Sequence, residues 1–318
     1  MPILQLLRLL ADGHFHSGEE LGAALGISRS AVWKQLQFLE VLTGLSLFKV
    51  RGKGYRLERP ISLLDKETLQ ARLAPMPVYV EEQVDSTNAL AIRLLASQEP
   101  PFLVLAEAQS AGRGRRGRQW ASPYGANLYF SLVIRVDRSS TQLQALSLVV
   151  GLAVLRVLRQ AGIVDIGLKW PNDLLAAGKK IAGILLELNG DPADACNVII
   201  GIGINANMLT GSEIDQPWTS MQRETGCLID RSGLVAALAE ELGRMLVIHR
   251  EQGFAAFHHD WEALHLWQGR DVRLVSGVHE VRGTVLGVTV DGGLRLMVDS
   301  AEQVFSGGEL SLRLQDDS

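Results

Sequence analysis

The chain has 318 residues, 47% hydrophobic and 21% charged, enough to bury sizeable cores in two or three domains and too apolar for a disordered protein. Its 31 Lys/Arg against 35 Asp/Glu leave a formal charge of −4, which excludes a basic coat that binds nucleic acid by charge alone. The 32 glycines and 10 prolines follow no repeat period, and the two cysteines, Cys196 and Cys227, give neither a disulfide framework nor metal-ligand spacing.

The N-terminal ten residues are apolar but interrupted by Arg8 and followed by Asp12 and Gly13, the pattern of an amphipathic helix rather than a leader. The most apolar later stretch, 145–158, is broken by Gly151 and Arg156 and falls short of the ~20 apolar residues of a membrane span. A cytoplasmic protein with no membrane partner is expected.

Residues 1–60 hold eight Lys/Arg and five Asp/Glu, a net of +3, so the remainder carries −7. A basic head on an acidic body points to two jobs. Inside the head, 18–25 and 29–42 read as helices. Ser17 and Glu20 have capping-box spacing, Gly26 makes a tight turn, and Ser28 caps the second helix. Leu21, Leu25, Val32, Leu36 and Leu39 should face the core, leaving Arg29, Ser30, Trp33, Lys34 and Gln37 outward. Residues 45–59 then alternate about Gly52-Lys53-Gly54, a hairpin wing tipped with Arg51 and Lys53. A helix pair alone fits any αα-hairpin, but with this wing it reads as a winged helix-turn-helix, with Ser28, the five outward residues, Arg51 and Lys53 as DNA contacts. One such module buries only about 600–1,000 Å², so two heads on a homodimer reading a two-part operator are expected.

Pro60 breaks the head from the body, and 61–66 reads as a linker. Strand-like runs at 78–84, 103–107, 127–134, 180–188 and 195–204 interleave with helix-like runs at 87–97, 143–161 and 233–252, a central mixed-sheet α/β domain. From 268 onward, short strands at 271–275, 279–286, 294–298, 302–305 and 310–314 with glycine-rich turns read as a small β-barrel of net charge −3. The fold class is α+β, multidomain.

Four segments carry chemistry. Asp85-Ser86-Thr87-Asn88 closes a strand and opens a helix, where hydroxyls and free N–H groups meet; ordinary capping by Ser86 reads the same way. Gly112-Arg113-Gly114-Arg115-Arg116-Gly117-Arg118 joins mobile backbone to planar forks suited to phosphate and carboxylate, although alone it also fits a solvated basic loop. It is neither a Walker nor a Rossmann loop. Lys169-Trp170-Pro171-Asn172-Asp173 precedes a turn at 177–179 that leads into Lys180, and Gly201-Ile202-Gly203-Ile204-Asn205 ends a strand that something approaches closely.

These segments in this order, with Ser122-Pro123-Tyr124-Gly125-Ala126-Asn127-Leu128-Tyr129 after the arginine loop, resemble the biotin–protein ligase family. With the winged helix, the chain is similar along essentially its whole length to bifunctional ligase/repressors. The resemblance implies a DNA-binding domain at 1–60, a catalytic domain at 67–266 and an SH3-like domain at 268–316. It implies that biotin and ATP, with Mg²⁺ as counter-ion, give biotinyl-5′-AMP and pyrophosphate, and that biotin then passes to a lysine of a biotin carboxyl carrier protein. Biotinyl-AMP would be the corepressor that promotes the homodimer on operator DNA. Residue by residue, it implies biotin contacts from Ser86, Thr87, Asn88, Gln109, Arg113, Gly114, Arg115 and Lys180, with Lys180 and Arg115 catalytic. Arg118, Lys169, Asn172 and Asn205 would serve ATP, and Trp218 would cover adenine, in a stretch shorter than in repressor-type members. Asp173 would hold Lys180 or another cation in place, and the arginine loop would close over the adenylate. No all-protein metal cage is expected. The alternatives are a ligase with a vestigial head, a non-catalytic biotin-sensing repressor, and a lipoate ligase. Lys180 and the loop arginines weigh against the second, and the pairing of that loop with Lys169-Trp170-Pro171-Asn172-Asp173 against the third.

Overall fold

The structure is a computed structural model that describes residues 2–136, 143, 145–190, 195–276, 279–306 and 310–315. Positions 137–142, 144 and 191–194 of the expected catalytic domain (144 in its expected helix), and 277–278, 307–309 and 316 of the expected C-terminal domain, lie outside the described residues.

The head is three helices, α1 (Pro2–Leu10), α2 (Gly18–Leu25) and α3 (Arg29–Thr43), followed by a hairpin of β1 (Leu47–Val50) and β2 (Gly54–Leu57). Ser17 accepts from the Glu20 N–H while Glu20 accepts from the Ser17 N–H, which completes the capping box. Gly26 takes φ 66°, a left-handed turn that spares a side chain the strain, and Ser28 caps α3. Leu21, Val32, Leu36 and Leu39 are buried as their spacing requires, together with Leu6, Leu7 and Leu10 of α1, and Leu25 packs half-buried beside them. The wing is pinned to the helices because His16 and Tyr55 exchange backbone hydrogen bonds of 2.9 and 2.8 Å. The head's core also takes in Ala108 and Tyr124, which belong to the body.

The body is built on a seven-stranded sheet of β3 (Val78–Val84), β4 (Phe102–Gln109), β5 (Leu128–Val136), β6 (Ile166–Lys169), β7 (Asp173–Ala176), β8 (Lys179–Asn189) and β9 (Cys196–Ile204). Their order is β3-β4-β5-β9-β8-β7-β6, and only β3 and β4 run parallel. Along β4, Phe102 and Val104 join one cluster under α5 (Thr87–Leu94), while Leu103 and Leu105 join the main core on the opposite face. Burial of both faces explains why such strands read as unbroken apolar runs. The main core is covered by α6 (Leu146–Gln160), α8 (Arg231–Gln252) and α9 (Ala255–Ala263), with the short α7 (Met221–Thr225) between the sheet and α8 in sequence.

A five-stranded antiparallel sheet follows: β10 (Asp271–Ser276), β11 (His279–Val288), β12 (Leu294–Val298), β13 (Ala301–Phe305) and β14 (Ser311–Leu314), ordered β13-β12-β11-β10-β14. Its apolar face, including Val272, Leu296 and Leu312, is continuous with the body's core.

Three expectations shift. The helix expected over 87–97 ends at Leu94, the one over 143–161 starts at Leu146, and the one over 233–252 starts at Arg231, where Asp230 caps it. Helix α4 (Lys66–Leu73) was unexpected; it buries only Leu69, so no apolar stripe marks it. Strands β6 and β7 are four residues each, too short for a period to register.

The linker is not a loose tether. Arg231, fully buried, donates from Nε to the Ser62 carbonyl at 2.6 Å, from its backbone N–H to Ser62 Oγ at 3.0 Å, and from its guanidinium to the Asn127 carbonyl at 2.9 Å and to Glu107. Glu107 in turn accepts from the Leu64 N–H at 2.7 Å. Among the described residues, no helix is long and apolar enough to cross a membrane.

Candidate active site

Two adjoining cavities open where β8, β9, the N-terminus of α5, the arginine loop and β14 converge. The first, of about 120 Å³, is lined by Ser86, Thr87, Asn88, Gln109, Arg113, Gly114, Arg115, Arg118, Lys169, Asn172 and Lys180. Every residue expected at biotin or ATP is therefore on its wall except Asn205 and Trp218. The second, of about 430 Å³, is lined by Asn205, Trp218, Glu213 and Asp215, and shares Gln109, Arg118, Trp120 and Lys180 with the first.

Lys180 stands at the junction. Its ammonium lies 2.8 Å from Asp173 Oδ1, with both side chains mostly buried, and 5.4 Å from the centroid of the Trp120 ring. Its backbone pairs with the segment around Trp218: the Lys180 N–H donates to the Pro217 carbonyl and the Thr219 N–H to the Lys180 carbonyl. That pairing holds the start of β8 and the wall of the second cavity as one piece.

The glycines of the 201–205 motif serve close approach. The Asn88 amide sits where a Gly201 side chain would be, and the Trp120 indole where a Gly203 side chain would be. Asn88 also donates to Glu187 at 2.7 Å and accepts from Ser131 Oγ at 2.5 Å. The Gln109 carbonyl accepts from the Thr87 N–H, and its amide donates to Ser122 Oγ, each at 2.9 Å. Ser86 occupies the N-cap position of α5, yet its side chain makes no capping bond, contrary to the capping reading; buried, it faces the first cavity instead.

The arginine loop is folded as a short 3₁₀ turn at Arg115–Gly117, with Arg116 left-handed at φ 60°. Arg115 donates to Asn172 Oδ1 at 2.9 Å and to the Leu310 carbonyl at 3.4 Å, so the loop bridges the body and the C-terminal sheet. Burial lowers the Arg115 guanidinium below its ordinary range, although Asp173 nearby opposes the shift. Arg113 reaches Glu187 at 3.1 Å. Lys169 lies 4.6 Å from the Trp267 ring centroid, a cation–π contact that sequence reasoning missed. The Asn205 side chain is drawn away from the first cavity because its amide donates to the Thr219 carbonyl at 2.9 Å. Trp170 is buried, its indole donating to the Gly292 carbonyl.

In the head, Ser28, Arg29, Ser30, Trp33, Lys34, Gln37, Arg51 and Lys53 are all exposed, the two wing residues at the hairpin turn. Among the described residues, no group of three or more His, Cys, Asp or Glu is placed to hold a metal ion.

One buried group beside the site makes a pH prediction. His265 stacks on Trp261 at 4.8 Å and sits on the segment that pairs with Leu168, next to Lys169. Burial pushes its imidazole down to about 4. The folded chain keeps His265 neutral, so as pH falls below 6.5 the unfolded chain takes the proton first. Stability present above that pH is then lost, by about 3 kcal/mol near pH 4. His265→Phe should flatten this part of the acid loss, read by urea denaturation at pH 7 and pH 4; equal losses in both proteins would refute it.

Residues 80–205 match the biotin/lipoate A/B protein ligase family, and residues 3–56 an HTH domain. The chain is 41% identical over 312 residues to the bifunctional ligase/repressor BirA of Escherichia coli, covering 98% of this chain and 97% of that one. It is 34% identical to the biotin–[acetyl-CoA-carboxylase] ligase of Paracoccus denitrificans, over 72% of this chain and 97% of that one. Among solved structures, the biotin protein ligase of Aquifex aeolicus in complex with biotin and ATP superposes with a TM-score of 0.67 at 30% identity, over 75% of this chain and 99% of that one.

Proposed function

The chain belongs to the biotin–protein ligase family, in its bifunctional ligase/repressor branch, and from that premise we propose how its two cavities divide the work. The protein is an ATP-dependent biotin ligase with a helix-turn-helix repressor domain. Biotin lies in the first cavity along Ser86, Thr87, Asn88 and Gln109, its carboxylate toward Lys180 and Arg115. The triphosphate lies among Arg118, Lys169 and Asn172, and the adenosine reaches the second cavity at Asn205 and Trp218. A biotin carboxylate oxygen attacks the α-phosphorus, the bond to pyrophosphate breaks, and biotinyl-5′-AMP results. The lysine amine of a biotin carboxyl carrier protein then attacks the acyl carbon and displaces AMP.

The observation that carries this reading is the place of Lys180, on the wall shared by both cavities and held by Asp173 at 2.8 Å. A carboxylate and a triphosphate repel each other, so a fixed cation where they meet lowers the barrier. Arg115, tied to Asn172 and Leu310, seals the same place against the water that would hydrolyse the mixed anhydride. Mg²⁺ would enter as the counter-ion of ATP and would supply charge neutralisation to the phosphates, while Asp173 holds Lys180.

The functional units are 1–60 for DNA, 67–266 for catalysis and 268–316, an SH3-like barrel that covers the site. Biotinyl-AMP promotes the homodimer, which sets two heads on operator DNA in the cytoplasm. The test is to incubate the protein with ATP, Mg²⁺, a carrier domain and either biotin or lipoate, and then to measure DNA binding with and without biotinyl-AMP. Biotin-specific mass gain on the carrier and adenylate-strengthened DNA binding are expected. Transfer of lipoate, or no transfer, would overturn the ligase reading; DNA binding indifferent to the adenylate would leave a ligase alone. Lys34→Ala should weaken DNA binding and reduce the salt slope by about 1 while leaving carrier biotinylation unchanged. An unchanged slope would remove Lys34 from the interface.

A further inference from the structure

Glu187 is not among the residues that the family motifs bring to the site, yet one of its carboxylate oxygens holds two of them. Oε2 accepts from Asn88 Nδ2 at 2.7 Å and from an Arg113 guanidinium nitrogen at 3.1 Å. Glu187 is on β8, on the same face as Gly183 and Leu185, both of which line the first cavity. Four residues beyond Gly183, it lies roughly 13 Å further along the strand, away from Lys180. It is too far from the junction to act on reacting atoms, so any part it plays passes through its two partners.

Those partners open a longer chain of bonds. Asn88 accepts the one Ser131 hydroxyl proton, and Ser131 Oγ in turn lies 2.8 Å from the Thr87 hydroxyl, from which it can accept. The Thr87 N–H donates to Gln109, and Gln109 donates to Ser122, whose hydroxyl donates to the Trp120 carbonyl at 2.8 Å. Arg113 enters the arginine loop and Trp120 leaves it. Both ends of the loop are therefore tied to one polar network under the first cavity, and Glu187 is the anionic member that binds the entering end. A charge-assisted bond to a guanidinium and a buried amide fixes direction as well as distance.

We propose that Glu187 is a positioning residue for the ligase reaction: it sets Arg113 and Asn88 in place before biotin binds, so that the loop is ordered in advance. This rests on the reading of the first cavity as the biotin site. Preordering lowers the cost of binding without touching the chemical step, so its loss raises KM and spares kcat.

The experiment compares wild type, Glu187→Ala and Glu187→Gln in biotin-dependent ATP–pyrophosphate exchange. Alongside it, trypsin cleavage after Arg113, Arg115, Arg116 and Arg118 is timed with and without biotin. Glu187→Ala should raise KM for biotin about tenfold with kcat within about threefold, and should speed loop cleavage in the empty protein, with biotin restoring protection. Glu187→Gln keeps an acceptor for both partners and should recover most of KM and protection. Should the alanine variant not fold, the glutamine variant decides, with a KM raised about threefold at unchanged kcat as the supporting result. KM equal to wild type in the folded variants, or a loss in kcat alone, overturns the proposal. So does a lowered melting temperature with unchanged cleavage of the loop. If wild type itself shows no biotin-dependent exchange, the biotin reading fails instead.

Discussion

Lys180→Ala is expected to cut biotin adenylation by about 10²–10³-fold in kcat, the effect of removing one preorganised charge from a site where negative charge gathers. The ammonium is mostly buried, lies on the wall of both cavities, and is held by Asp173 and by the Trp120 ring, so its charge is fixed in place before the reaction. Transfer from preformed biotinyl-AMP to the carrier should suffer less, because the pyrophosphate has already left. Biotin-dependent pyrophosphate exchange and single-turnover transfer from supplied adenylate separate the two steps. Equal losses in both would refute a role specific to adenylation, because the backbone pairing of residue 180 with 217–219 is kept in the alanine variant. Asp173→Asn should give a smaller loss in the same exchange assay, since it frees the lysine without removing it.

Arg231→Met should destabilise the whole chain by about 3–5 kcal/mol, because it leaves Glu107 buried without its cation. The deficit should shrink in the double variant Arg231→Met with Glu107→Gln, where no unpaired charge remains. Urea denaturation of the two variants checks this, and equal stability of single and double variants would show that the loss comes from packing alone. The same guanidinium fastens Ser62 and Asn127, so the linker is expected to become susceptible to proteolysis between the head and the body. The buried pair joins three parts of the chain, β4, the linker and α8, that are 169 residues apart at their widest bond, Arg231 to Ser62.

The parts legible in the sequence are those where chemistry demands unusual residues. Four arginines among three glycines, a lysine before Trp-Pro-Asn-Asp, and glycines alternating at the end of a strand have few structural reasons to occur together. The helix-turn-helix was legible for a different reason: caps and turn glycine occupy successive fixed positions, and the apolar residues keep helical spacing. What stayed hidden depends on contacts between distant segments. Glu187 looks like one acid at the end of a strand until Asn88 and Arg113 fold beside it. Arg231 looks like an ordinary first residue of a helix, and its burial is decided by Glu107 and Ser62. Asn205 belongs to a motif that implies a nucleotide contact, but its amide is engaged by the Thr219 carbonyl, a partner set by the return of the chain past Trp218. Helix α4 escaped because it buries a single leucine.

Tyr124 and Ala108 complete the core of the head although they belong to the body, and Tyr124 donates from its hydroxyl to Glu82 on β3. The DNA-reading unit is therefore not an interchangeable part. A head grafted from a relative would meet a socket cut for Leu6, Leu7 and their neighbours. A chain trimmed at residue 60 would expose an aromatic ring and an alanine that now lie dry. Transplanting the DNA specificity of this protein requires carrying the socket with the head, and trimming the head away requires new polar residues at 108 and 124.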